Sequence, residues 1–168
     1  RFPLGDRTIE VPTNDRGNSL HGGPEGFDVR LWDVVSHAAE SVELALVSPD
    51  GDQGFPGEVT ARVRYAVSGN TVTVEMSATT DATTVVGMTN HAYWNLAGGG
   101  TVLDHELQIM GDKHFPLGEL LLPKGVIEDT ADTPHDFRTP RRIAEDHDFC
   151  TKLHGTRGEM KHGLKLRD

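Results

Sequence analysis

Three stretches of the chain alternate apolar and polar side chains with a period of two: Val42-Glu43-Leu44-Ala45-Leu46, Val59-Thr60-Ala61-Arg62-Val63-Arg64-Tyr65 and Thr71-Val72-Thr73-Val74-Glu75-Met76. Successive side chains of a strand point to opposite faces, so this pattern describes half-buried strands and excludes an amphipathic helix. Between the stretches, residues 49–54 and Ser68-Gly69-Asn70 supply turn chemistry; the second is short enough to join two neighbouring strands as a hairpin. The middle of the chain is therefore expected to be antiparallel β. Leu107-Gln108-Ile109, Leu120-Leu121-Leu122 and Val126-Ile127 continue a strand-and-turn rhythm between glycines and prolines. An all-β sandwich or barrel follows. One helix is expected, over residues 140–148, with Thr139 as N-cap and Pro140 in the first turn. No repeat, low-complexity tract or linker-like run interrupts the 168 residues, so residues 1–168 are expected to form a single domain.

Composition narrows the partners. A formal charge of −10 repels a phosphate backbone, which excludes nucleic acid as the main partner. No window approaches the ~20 consecutive apolar residues of a membrane span, and Arg1-Phe2 does not open a signal peptide. The missing initiator Met suggests a cut chain. The single cysteine, Cys150, has no internal disulfide partner and is compatible with a reducing cytoplasm, the location expected here. Nine histidines raise the question of a metal, but His105, His114, His135, His147, His154 and His162 are scattered without a zinc spacing, so no metal is expected. Neither a dinucleotide-binding glycine pattern, nor a phosphate-binding loop, nor a serine nucleophile elbow is present.

The chemistry concentrates in Thr89-Asn90-His91-Ala92-Tyr93-Trp94-Asn95-Leu96-Ala97-Gly98, where polar and aromatic residues interrupt a strand-like pattern before three glycines. In an extended segment His91, Tyr93 and Asn95 share one face, directing three polar groups into one space. A lone histidine on a strand is more often a hydrogen-bonded core residue than a functional one, but this one has company. Asn18-Ser19-Leu20-His21-Gly22-Gly23 places a second histidine before a glycine pair, with Gly26-Phe27-Asp28 and Trp32 close behind. Histidines with flat aromatic rings suit a sugar, whose hydroxyls need donors and acceptors and whose C–H face packs on rings.

These blocks, with Ser48-Pro49-Asp50-Gly51 and Gly54-Phe55-Pro56-Gly57 between them, resemble in order the signature blocks of aldose 1-epimerases, the galactose mutarotases. Thr89-Asn90-His91-Ala92-Tyr93-Trp94-Asn95-Leu96 is the most diagnostic. Pro123-Lys124-Gly125, Thr133-Pro134-His135-Asp136-Phe137-Arg138 and Asp146-His147-Asp148-Phe149 resemble the later blocks, so the likeness runs to about Cys150. The resemblance implies a galactose-mutarotase-like β-sandwich, here incomplete, that binds a free hexose such as galactose or glucose and uses no cofactor. It implies that His91 gives a proton to the ring oxygen while a glutamate takes one from the C1 hydroxyl. An imidazole with an ordinary pKa of roughly 6.5 suits both giving and taking a proton near neutrality. It further implies that His21 hydrogen-bonds sugar oxygens, that Tyr93 lines the site and that Asp146 binds sugar hydroxyls. The competing reading of Asp146 is a solvated charge in Glu145-Asp146-His147-Asp148, and that of His21 is a plain loop histidine.

Three departures qualify the resemblance. The family's Asn-Arg sugar-binding pair has no counterpart before Phe2, the connection from Arg142 to Asp146 is shorter than usual, and nothing from Thr151 onward resembles the block that carries the glutamate base. Glu159 lies in Arg157-Gly158-Glu159-Met160-Lys161-His162, a basic loop unlike that block, and is rejected as the base. A non-catalytic carbohydrate-binding domain is accordingly the rival expectation. An epimerase for phosphorylated hexoses is a nearer one, for which Arg138, Arg141 and Arg142 form the only local basic run. A sandwich lacking strands leaves open edges and apolar faces, and marginal stability is expected of the isolated chain.

Overall fold

In the computed structural model the described residues are 1–118, 120 and 122–143, with the backbone of 165–167. They contain eleven strands, a 3-10 turn over Asp52–Gly54 and no α-helix. The chain forms two compact units, Arg1–Asn90 and His91–Asp168. No linker marks this division in the sequence, where an undivided chain is expected; it falls inside the polar-aromatic block.

The first unit opens with a hairpin of β1 (Phe2–Leu4) and β2 (Arg7–Ile9). Its main element is an antiparallel meander in which β3 (Asp33–Ala38), β4 (Ser41–Ser48), β5 (Val59–Ser68) and β6 (Thr71–Thr80) pair in sequence order. The alternation read from the sequence sets its two faces. Register aligns Leu46, Ala61 and Ala78 in one row and Leu44, Val63 and Met76 in the next, and the buried Leu46, Ala61 and Val63 mark the core side. On the opposite face Arg64 lies directly across from Glu75 and bonds it at 3.0 Å, while Arg62 reaches diagonally to Glu43, also at 3.0 Å. Such exposed ion pairs contribute at most about 1 kcal/mol each. They hold register more than they stabilise the sheet. Gly69 and Asn70 close the β5–β6 hairpin as a two-residue loop; Gly69 has φ 58° and Asn70 does not share a positive φ, the arrangement of a II′ turn with glycine first. The edge strand β3 is exposed throughout and carries a bulge between Val34 and Ser36, which discourages edge-to-edge pairing.

In the second unit β7 (Glu106–Gln108) lies between β10 (Arg141–Arg142) and β11 (Lys165–Arg167), and β8 (Lys113–His114) pairs with β9 (Glu128–Asp129). Leu107, Phe137 and Ile143 form its buried cluster, with Val102, Leu103 and Ile109 packed against it. The Arg141 guanidinium sits 4.2 Å above the Phe137 ring. Here the structure corrects the start of the helix expected over residues 140–148, whose residues 144–148 lie outside the described residues. Arg141 and Arg142 pair with Leu107 and Glu106, and the Ile143 amide donates to the His105 carbonyl at 3.0 Å. Pairing there delivers Ile143 to the core, a tertiary gain that overrides a local start signal; Pro140 just ahead of a short edge strand is an accepted position. The apolar pieces around Leu120 and Val126 also differ from expectation. Leu120, Leu122, Val126 and Ile127 are all exposed and lie outside strands, and a lone bridge from Leu117 to Pro123 closes the loop instead.

Candidate functional site

His21 stands in a turn that the backbone has to strain to make. Its φ is 54°, in the left-handed region that residues with a side chain seldom occupy, and Gly22 and Gly23 follow at 88° and 100°. Several contacts hold this conformation. Asn14 grips the preceding residue on both sides: its Oδ1 accepts from the Leu20 amide at 2.8 Å and its Nδ2 donates to the Leu20 carbonyl at 3.0 Å. Gly26 packs so closely that a Cβ would lie 2.2 Å from the His21 carbonyl oxygen. The turn thus leaves the His21 side chain exposed on a fixed backbone. Beyond it, the Phe27 and Trp32 rings meet edge to face at 6.0 Å, and the Trp32 indole donates to the Phe27 carbonyl at 3.0 Å.

The same turn is joined to the β4–β5 connection. Arg30 donates through Nη2 to Asp52 Oδ1 at 2.6 Å and through Nε to the Glu25 carbonyl at 2.9 Å. Asp52 accepts a further bond, at 2.5 Å, from the hydroxyl of Ser48 at the end of β4. Burial raises the Asp52 pKa, but the hydrogen bonds from Ser48 and Arg30 and the Arg30 charge outweigh it and hold the carboxyl below its usual range. Sequence reading missed Arg30, Asp52 and Asn14. Asp52 and Ser48 belong to a block read only as turn chemistry and family signature, and nothing in the sequence shows which loop that turn meets.

In the second unit, His91 and Tyr93 are brought together as extended-segment geometry requires, with ring centroids 5.2 Å apart and planes inclined at 53°. His91 is exposed, as are Tyr93 and Trp94 at 56% and 47%. The segment leaves the ladder: residues 83–95 lie in no strand. In the first unit the neighbouring Asn90 amide donates to the Tyr65 hydroxyl of β5 at 3.4 Å. Asn95, expected to share the polar face, is engaged elsewhere. Its Nδ2 donates to the Gly99 and Gly100 carbonyls at 3.3 and 3.2 Å and its Oδ1 accepts from the Ala97 amide, because the glycine loop leaves backbone groups that need partners. His105 Nε2 accepts from the Leu96 amide at 3.1 Å, so that ring also serves the loop. Asp146 lies outside the described residues, as do Cys150 and Glu159. Among the described residues no three His, Cys, Asp or Glu side chains gather as metal ligands, and no helix is long and apolar enough to cross a membrane.

Comparison with known proteins gives these features a context. A sequence model described as aldose 1-epimerase matches residues 1–167. The chain is 38% identical over 164 residues to a galactose mutarotase from Mus musculus, covering 90% of this chain and 48% of that protein. It is 40% identical over 148 residues to an aldose 1-epimerase from Escherichia coli (strain K12), covering 87% and 43%. Among solved structures, an aldose epimerase homologue from C. elegans superposes with a TM-score of 0.79 at 34% identity, over 86% of this chain and 46% of that one. A galactose 1-epimerase from Lactobacillus acidophilus NCFM also gives 0.79, at 28% identity over 99% and 53%. The chain spans about half the length of these relatives. Its all-β architecture is the one seen in those epimerase structures. With the match extending through both units, the chain belongs to the aldose 1-epimerase family.

Proposed function

We propose that this protein interconverts the α and β anomers of free hexoses, galactose and glucose first among them, by opening and reclosing the pyranose ring. The observation that carries this reading is the exposed His91–Tyr93 pair, held at 5.2 Å in the most diagnostic block of a chain that belongs to the family. His91 is the proton donor. As its imidazolium N–H protonates the ring oxygen, the C1 hydroxyl loses its proton to a base, the bond from C1 to the ring oxygen breaks and C1 becomes an aldehyde. Rotation about C1–C2 presents the other face of the carbonyl. The freed hydroxyl then attacks it, returning its proton to His91 while the carbonyl oxygen is reprotonated, so no atom or electron is gained or lost. Tyr93 lines the site beside His91, and His21 and Asp146 bind sugar hydroxyls. We assign the role of base to no residue of this chain.

The chemistry requires no cofactor and no metal. The charge of −10 suits a neutral sugar better than a phosphorylated one or a nucleic acid. A cytoplasmic location is part of the proposal, consistent with a single cysteine. One observation favours a second reading, sugar binding without catalysis: the exposed His21, Tyr93 and Trp94 suit a sugar and need no base to bind it. Polarimetry of freshly dissolved α-D-galactose, with equilibrium binding measured alongside, separates the two. Acceleration over a buffer blank supports the epimerase. Binding without acceleration supports the second reading, and neither effect overturns both.

A further inference from the structure

We propose that Asp52 is a positioning residue for sugar binding: with Arg30 and Ser48 it clamps the strained turn carrying His21 to the end of strand β4. The inference rests on the reading of His21 as a sugar contact. Two segments, residues 25–30 and 48–53, meet here through directed bonds between residues more than twenty apart in sequence. Arg30 closes the loop by bonding both Asp52, at 2.6 Å, and the Glu25 carbonyl, at 2.9 Å. Gln53, adjacent to Asp52, accepts from the Glu25 amide at 3.4 Å, and its side-chain oxygen lies where a Gly23 Cβ would approach within 2.7 Å. Ser48 is 7% exposed and anchors the carboxylate to β4.

Strain argues for function as well as support. Both His21, at φ 54°, and Gln53, at φ 48°, hold left-handed backbone without being glycine. Such residues persist where their surroundings over-determine them, and they concentrate at binding sites. A partly buried Arg–carboxylate pair is a stiff connector, since its side chains keep 22% and 10% of their exposure and the carboxylate has both oxygens bonded. A sugar contact on an unanchored turn has to be ordered on each binding event; the clamp orders it in advance.

The test compares Asp52→Asn with His21→Ala in galactose steady-state kinetics at native length, and adds amide exchange of the turn. Asp52→Asn is expected to raise KM about tenfold with kcat changed less than about threefold, as for a misplaced binding group. Exchange at Gly23 and Gly26, whose amides bond Leu20 and Gly23 carbonyls, should rise while that of Leu46 and Ala61 stays at the parent value. Arg30→Gln breaks the clamp from its other side and should reproduce both effects, which covers the case in which Asp52→Asn does not fold. Parent KM or parent exchange in these variants, with KM raised in His21→Ala, overturns the clamp alone. A parent KM in His21→Ala overturns the reading of His21 and with it the purpose assigned to Asp52.

Discussion

Gly26 shows how finely one residue sets the candidate site. A methyl group there would sit 2.2 Å from the His21 carbonyl oxygen and 2.8 Å from Asp28 Oδ1, and the first of these is backbone that cannot swing aside. Gly26→Ala is therefore expected to lower stability by about 1–3 kcal/mol in urea denaturation and to weaken galactose binding, as overpacking does. Asp52 makes a pH prediction of definite sign. Its folded pKa lies below the usual 3.8, so the stability it contributes is present above that value and is lost as pH falls through the folded one. The stability gap between parent and Asp52→Asn, by urea denaturation, should be full at about pH 7 and narrow near pH 3. An unchanged gap contradicts the assigned ionisation. Legibility at this scale was uneven. The i, i+2 spacing was enough to place His91 beside Tyr93, whereas the bonds of Asn95 to glycine carbonyls are nothing that local periodicity reveals.

At the scale of elements, long alternating stretches were readable because each strand of the meander has one face in the core and one in water. Strands β4, β5 and β6 cover the stretches expected around Val42, Val59 and Thr71, and the turn at Ser68-Gly69-Asn70 is the hairpin foreseen. The II′ geometry gives that turn a test: Gly69→Ala has open space for its methyl group but an unfavourable φ, and should cost about 1 kcal/mol. The second unit was less legible. Its strands are two or three residues long and exist through partners far off in sequence, as when Arg141 finds Leu107. No window of composition carries that information, so Thr139-Pro140 was read as a helix start. Leu107 is fully buried beside Phe137 and Ile143. Leu107→Ala should therefore destabilise this unit by about 2–5 kcal/mol, measured by denaturant unfolding with Trp94 fluorescence as the probe.

For the whole molecule, the described core is small and divided. Ile9, Leu46, Val59, Ala61 and Val63 serve the first unit, and Leu107, Phe137 and Ile143 the second, while Val34, Val47, Val67 and Val72 of the meander remain 46–64% exposed. The chain alone is expected to melt below about 50 °C and to bind an apolar dye; a cooperative transition above that temperature by circular dichroism contradicts this. The central claim is that His91 is the acid of an anomer-interconverting site, and polarimetry of α-D-galactose mutarotation by parent and His91→Ala at native length tests it most directly. The account predicts a loss of acceleration of roughly 10²–10⁴-fold in the variant with galactose binding retained. Equal rates in parent and variant would contradict it.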